Sequence, residues 1–379
     1  MELKHISRRT KKGIMIAAII TGVVILLTLV PFLIVHNYIN KMNIVTNSDM
    51  DHNKTAMDET MANAKAEEGI SSRENEVQQE DETDPGIPDA SEDEIRKIEE
   101  NIHKNLEENS TPIEYDDNIY NVLLIGGDSR KAGGSGRSDA MILVSVNKDE
   151  KKIVVTSILR DIYLQIPEYK NNRINAAYAF GGADLLMDTI ENNFKIRIDR
   201  YISVDFYTFI DMVDAIDGVT LDVTEKEIPV MNNYIKEMNS LYGLDAEQDC
   251  LTTPGTLTLN GKQALGYVRN RYVGNNDFER TARQRRVLTL VFDKVKTLNL
   301  LELTELLDII LPQITTNLTE GEIFAHLLAL PSYIGYDMEQ WSIPMAGTYS
   351  SMRIRGMSVL GIDFNKNIGE LHDKMYPEG

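Results

Sequence analysis

The sequence predicts an α/β fold: a three-layer α/β/α domain with a central mixed sheet, preceded by one transmembrane helix and a disordered acidic stalk. Three observations predict it. Short apolar runs such as NVLLI (121–125) and AMILVSV (140–146) are bounded by Gly-rich and Asn/Lys turns, which implies strands covered on both faces. Segments of helical periodicity alternate with these strands through the last 260 or so residues. A single uncharged apolar stretch, IMIAAIITGVVILLTLVPFLIV, lies near the N-terminus at residues 14–35.

That stretch has 22 residues, enough to span roughly 33 Å as a helix at about 1.5 Å per residue. A cleaved signal peptide is the competing reading, since a basic region precedes it. The apolar run is longer than the usual signal core, however, and HNYINKMN beyond it offers no small-residue cleavage pair. Lys4, Arg8, Arg9, Lys11 and Lys12 against one acid, Glu2, make residues 1–40 net +4. The positive-inside rule keeps residues 1–13 in the cytoplasm and sends the C-terminus outside, a single-pass type II orientation in the cell membrane.

Residues 36–118 form the predicted extracellular linker. From 41 to 118 the chain carries 7 basic and 23 acidic residues, net −16, with little apolar surface to offset ordering entropy. As a coil those residues would reach on the order of 50 Å. Within them, Ser91-x-x-Glu94 reads as a capping box ahead of Ile95, Ile98, Ile102 and Leu106, predicting one short amphipathic helix.

The globular domain is expected over 119–379, with a core at 121–295 and a C-terminal extension at 300–379. Its predicted strands are 121–125, 140–146, 152–159, 201–204, 219–223, around 341–343 and 351–359, with a hairpin turn at 147–151. Its predicted helices are 183–193, 206–216 closed by Gly218, 261–269, 278–296, 301–310 and 323–330. Residues 226–254 yield no motif.

The chain as a whole has a formal charge of −20, of which 119–379 carries −8, so the domain is a poor general binder of nucleic acid. One cysteine, Cys250, excludes an intrachain disulfide. The domain's two histidines, His326 and His372, have no neighbour at metal-ligand spacing, which argues against a His/Cys zinc site. There is no P-loop and no GxSxG elbow, and Ser129, Ser138 and Ser157 have no nearby histidine in sequence to activate them, so covalent serine chemistry is not expected.

Three motifs carry chemistry. Gly126-Gly127-Asp128-Ser129-Arg130 ends a strand and leads through a Gly-rich loop to Arg137-Ser138-Asp139. It reads either as a plain connection or as a loop in which Asp128 and Asp139 converge with phosphate oxygens on a hard cation. Ser157-Ile158-Leu159-Arg160-Asp161 ends another strand; its Arg-Asp pair is a surface ion pair or a guanidinium aimed at the ligand end of the sheet. The third, Tyr267-Val268-Arg269-Asn270-Arg271 followed by Asp277, Arg280, Arg283, Gln284, Arg285 and Arg286, places six arginines within 18 residues. Arg280, Arg283 and Gln284 share a helical face. A solvated basic face competes here with a phosphate site, which the use of Arg over Lys favours.

In that order, GGDSR, GRSDAMILVSVN, SILRD, INAAYAFGG, DFYTF…AIDGV, LNGKQALGYVRNR and DFERTARQRR resemble the LytR–CpsA–Psr family of cell-wall glycopolymer ligases. The resemblance covers about 121–295. One departure is Leu159, where the family usually has proline. The resemblance implies an enzyme facing a Gram-positive-type wall, with a polyprenyl (undecaprenyl) pyrophosphate-linked glycopolymer as donor and a peptidoglycan muramic acid hydroxyl as acceptor. Asp128 and Asp139 would hold Mg²⁺ or another divalent cation such as Mn²⁺. Arg160, Arg269, Arg271, Arg280 and Gln284 would bind pyrophosphate, with Arg137 and Asp161 orienting phosphate and the neighbouring arginine. Asp128, Asp139, Arg160, Arg269 and Arg271 form the expected catalytic set. Pyrophosphate hydrolysis, and non-catalytic lipid-pyrophosphate binding by a regulator, are the alternatives.

Overall fold

The computed structural model describes residues 43–45, 87–108, 112–127, 137–274 and 276–376. The predicted transmembrane stretch at 14–35 lies outside them, and no described helix is long and apolar enough to cross a membrane.

The chain enters with β1 (Asn43–Ile44) and, after an undescribed interval, α1 (Glu92–His103). The capping box is present: the Ser91 hydroxyl accepts from the Glu94 amide at 3.3 Å, and the Glu94 carboxylate accepts from the Ser91 amide at 2.8 Å. Ile95, Ile98 and Leu106 pack on the main core, and Ile102 is 2% exposed. Around α1, the Ala90 amide donates to the Arg353 carbonyl and the Arg353 amide to Pro88. The linker expectation is therefore corrected at its end. Residues from 87 onward belong to the domain, because one buried apolar stripe offsets the ordering cost that the acidic composition suggested would prevail.

The central meander follows as β2 (Ile119–Gly127), β3 (Ser138–Asn147) and β4 (Lys152–Ile158). A small hairpin of β5 (Tyr163–Leu164) and β6 (Asn172–Arg173) leads to α2 (Asn175–Phe194), whose helical path breaks at Gly181 and Gly182, the latter at φ +67°. Next come β7 (Arg200–Val204) and α3 (Phe206–Ala215), the helix N-capped by Asp205. The second lobe comprises β8 (Val219–Val223), α4 (Glu227–Tyr242), β9 (Gly255–Leu259) and α5 (Gly261–Arg269). Then follow α6 (Asn276–Val295), α7 (Leu300–Ile310), β10 (Thr315–Thr316), α8 (Glu320–Tyr333) and β11 (Asp337–Ile343). The chain closes with β12 (Tyr349–Ile354), β13 (Met357–Ile362) and α9 (Phe364–Met375).

Seven strands form the mixed sheet in the order β1-β10-β7-β2-β3-β4-β11, with β2/β7 and β4/β11 parallel and β2/β3 and β3/β4 antiparallel. Alternation along β3 makes the two faces. Met141 and Leu143 join the main core with α2, α9 and the β12–β13 hairpin, whereas Ile142 turns to the opposite face with Leu288 of α6 and Tyr333 of α8. A second core gathers α3, α4, α5, α7, β8 and β9, sharing Val287 and Val291 of α6 with it.

Three placements differ from the sequence reading. β8 leaves the central sheet and pairs only with β9. The core, expected at 121–295, runs on through the C-terminal extension: β11 pairs with β4 along its whole length, and Phe364, Ile368 and Leu371 are buried in the main core. The single strand expected at 351–359 is a hairpin, since Arg355 (φ 52°) and Gly356 (φ 81°) form its turn. The long helix α4 occupies the stretch without motifs.

Candidate active site

The strand ends position the site. β2 runs parallel to β7 and antiparallel to β3, so the end of β2 at Gly127, the start of β3 and the end of β7 lie on one edge. β4, antiparallel to β3, ends there too and delivers Arg160 and Asp161. This is the carboxyl edge of the parallel strands, where open α/β sheets collect ligands. The second lobe brings α5, α6 and the loop between them to the same edge.

Arg160 is the hub. Its Nη1 donates to Asp139 at 2.6 Å, while its Nε stands 3.4 Å from Asp277 and 3.6 Å from Asp161. Asp277 also accepts from Arg280 Nη2 at 3.2 Å, and Asp161 faces Arg173 Nη1 at 3.4 Å. The side chains of Arg160, Asp139, Asp161 and Asp277 each keep between 14% and 23% of their surface exposed, so the cluster is screened yet open to a ligand. Burial pushes Asp139 upward, but Arg160, Arg280 and Arg269 outweigh it and hold its carboxyl below the usual range. Asp161 and Asp277 are hydrogen-bonded and divide their shifts. Burial and its neighbour raise Asp161, whereas Arg280 and Arg160 overcome burial at Asp277 and lower it.

Arg269, at the end of α5, is held differently. Its guanidinium lies 4.5 Å from the Phe206 ring and 4.3 Å from the Tyr234 ring, and Nη1 pairs with Glu237 at 3.0 Å. It remains within electrostatic reach of Asp139. Arg271 Nη2 is 3.2 Å from the Tyr272 hydroxyl and acts electrostatically on Asp277. One turn beyond Arg280, the Gln284 Oε1 is buried with no hydrogen-bond partner, as is Arg280 Nε. Two polar atoms buried without partners on successive turns of α6 leave unused bonding capacity beside the cluster that Arg280 joins.

The structure therefore brings together Asp139, Arg160, Asp161, Arg269, Arg271 and Arg280, with Gln284 one turn further along α6. Arg137 lies two residues before Asp139 at the start of β3, and Asp128 falls outside the described residues. Arg283 has a different role. It shares a helical face with Arg280 and is as deeply buried, but it pairs with Glu227 at 3.0 Å and donates to the carbonyls of Asn270 and Val273. It is a brace between α4, α6 and the arginine loop. Arg286 Nη1 donates to the Tyr267 hydroxyl. Sequence reasoning passed over Asp277 and Arg173 as site residues. The i,i+3 relation of Asp277 to Arg280 in the first turn of α6 is the signal that could have found the former; nothing local marks Arg173.

Among the described residues, no group of three or more His, Cys, Asp or Glu is placed to hold a metal. Asp139, whose carboxyl the neighbouring arginines hold below the usual range, nevertheless offers the kind of hard oxygen donor that Mg²⁺ takes alongside waters and substrate phosphates.

Fold and site together define an α/β protein with a carboxylate-bridged arginine cluster at the carboxyl edge of a mixed sheet. The LytR_cpsA_psr family model matches residues 88–373. The chain belongs to that family. It is 30% identical over 266 residues to the regulatory protein MsrR of Staphylococcus aureus (strain COL), covering 69% of this chain and 76% of that protein. It is 32% identical over 233 residues to the polyisoprenyl-teichoic acid–peptidoglycan teichoic acid transferase TagU of Bacillus licheniformis, covering 61% and 70%. Among solved structures it is similar to the family protein YwtF (TagT) with bound octaprenyl pyrophosphate lipid, at 27% identity and a TM-score of 0.51, covering 69% of this chain and 93% of that one.

Proposed function

We propose that this protein transfers a glycopolymer from a polyprenyl pyrophosphate carrier to a muramic acid hydroxyl of peptidoglycan, outside a single-pass membrane anchor. The observation that carries the reading is the cluster of Arg160, Arg269, Arg271 and Arg280 at one sheet edge, with Gln284 Oε1 and Arg280 Nε left unpartnered. Similarity to TagU and to a lipid-bound TagT supports it.

In the reaction the acceptor hydroxyl oxygen bonds to the sugar-linked phosphorus. The bridging P–O bond to the second phosphorus breaks, polyprenyl phosphate leaves with the electron pair, and the hydroxyl proton passes to a base or to solvent. Arg160, Arg280, Arg269 and Arg271 bind the non-bridging oxygens and stabilise their charge, and Gln284 completes the cradle. Asp277 fixes the spacing of Arg160 and Arg280; Asp161, tied to Arg173, aligns Arg160; Arg137 directly precedes β3 at the same edge. Asp139, with Asp128, would hold Mg²⁺ or another divalent cation such as Mn²⁺, which when bound adds charge neutralisation at the pyrophosphate.

With water in place of the acceptor, the same arrangement would hydrolyse the carrier. A regulator that binds without turnover is the reading that the MsrR name favours. Incubating the full-length protein with lipid-linked saccharide, divalent cation and peptidoglycan fragments separates these. Label on the fragment supports transfer, released saccharide phosphate alone supports hydrolysis, and binding without turnover supports the regulator.

A further inference from the structure

Helix α4 presents a second stripe beside its core-facing one. Met231 and Met238 are buried in the second core and Ile235 is fully buried between them, while Val230, Asn233, Tyr234 and Glu237 recur at helical spacing on a flank that stays partly or wholly exposed. With Tyr272, which is 59% exposed on the loop after α5, these four line an open cleft of about 410 Å³. That lies within the range of small-ligand sites, roughly 300–1,000 Å³.

The cleft is continuous with the arginine cluster. Its wall residue Tyr234 stacks on Arg269, its wall residue Glu237 pairs with that same guanidinium, and the Tyr234 hydroxyl lies within electrostatic reach of Arg271 and Arg280. Its chemistry discriminates among the groups that could extend from a pyrophosphate held there. A prenyl tail would bury Glu237 and Asn233 against hydrocarbon, which is unfavourable without new hydrogen bonds. A further phosphate would meet the Glu237 carboxylate. A saccharide satisfies every wall: its C–H faces lie on tyrosine rings, and its hydroxyls donate to Glu237 and exchange hydrogen bonds with the Asn233 amide.

We propose that this cleft is a glycan subsite, in which Asn233, Tyr234, Glu237 and Tyr272 hold a short neutral saccharide adjacent to the pyrophosphate. The inference rests on the transferase reading given above. The saccharide belongs either to the donor, as the first sugars after the pyrophosphate, or to the acceptor strand of peptidoglycan.

Asn233 is the residue to change, since it is exposed and lies outside the arginine network. The full-length protein in detergent, as wild type, Asn233→Ala and Asn233→Trp, is titrated with octaprenyl pyrophosphate and with the same lipid bearing a disaccharide. The KM for a peptidoglycan fragment is measured alongside. Loss of one amide's hydrogen bonds should weaken glycan binding about fivefold to tenfold in Asn233→Ala, and the indole of Asn233→Trp, filling the cleft, should weaken it further. Bare octaprenyl pyrophosphate should bind all three proteins equally. Weakening confined to the disaccharide lipid assigns the cleft to the donor, and a raised KM for the fragment alone assigns it to the acceptor. If neither changes in either variant, the glycan subsite is overturned. Failure of the wild type to bind bare octaprenyl pyrophosphate would instead overturn the transferase reading and the subsite with it.

Discussion

Arg280 and Arg283 stand three residues apart on one face of α6, and alanine at each should give opposite phenotypes. Arg283 and Glu227 are both about 6% exposed at the side chain and pair at 3.0 Å. Removing one partner of such a pair costs about 3–5 kcal/mol, because the other charge stays buried. Glu227 keeps hydrogen bonds from the Thr224 amide and hydroxyl, which places Arg283→Ala towards the lower end. The Asn270 and Val273 carbonyls also lose their donor. For a domain of this size the loss corresponds to a Tm lower by about 10 °C. Arg280→Ala is milder for stability. Asp277 retains Arg160 at 3.4 Å and its bond to Asp161, and a guanidinium with an unpartnered Nε is removed from a crowded cationic site. Its cost should be under about 2 kcal/mol. For the ligand the order reverses: a lost charge-assisted bond to pyrophosphate is worth about 1.5–3 kcal/mol, a ten- to hundredfold weaker Kd. Thermal denaturation and octaprenyl pyrophosphate titration on the same preparations read both effects. An Arg283→Ala protein with wild-type Tm, or an Arg280→Ala protein with wild-type Kd, would refute the division into brace and ligand.

Ile102→Ala should cost about 2–5 kcal/mol, since its side chain is buried in the main core; an unchanged denaturation midpoint would return α1 to the linker. Asp139→Ala should abolish divalent-dependent turnover while leaving the fold intact, and transfer at the wild-type rate under metal titration would remove Asp139 from the cation site. Glu339 links β4 and α9 through Lys152 at 2.6 Å and Lys374, and these hydrogen bonds hold its carboxyl below its ordinary value. Because the folded pKa lies below the unfolded one, the associated stability is present above the ordinary carboxylate pKa and fades as pH falls through the depressed one. Glu339→Gln should therefore have a lower Tm than wild type near neutrality, with the gap closing towards low pH; a gap independent of pH would contradict this.

What could be read in the sequence followed the physics each signal reports. Apolar runs as clear as NVLLI and AMILVSV located β2 and β3, and the Ser91–Glu94 box located α1, because strand burial and capping are local. Partnership is not local. Nothing in Val219–Val223 says that it pairs with Gly255–Leu259 instead of joining the central sheet. Nor does the acidic composition around α1 reveal that Ile102 finds a core to enter. Arg280 and Arg283 show the same limit at the site. Helical spacing puts both on one face and both are buried, but the approach of Glu227 from α4 gives Arg283 a partner outside the site, while Arg280 pairs with Asp277. Asp277 went unselected as a site residue because its importance lies in bridging Arg160, which is 117 residues away in sequence (277 − 160), to Arg280.

The central claim is transfer, and the most direct test is to follow both halves of the reaction at once. The full-length protein is given a divalent cation, a polyprenyl-pyrophosphate-linked saccharide and peptidoglycan fragments. Mass spectrometry then measures polyprenyl monophosphate released and saccharide phosphate joined to the fragment. The account predicts that the two appear in equal amounts and are both lost in Arg269→Ala. Tight binding of the lipid with neither product formed would contradict it.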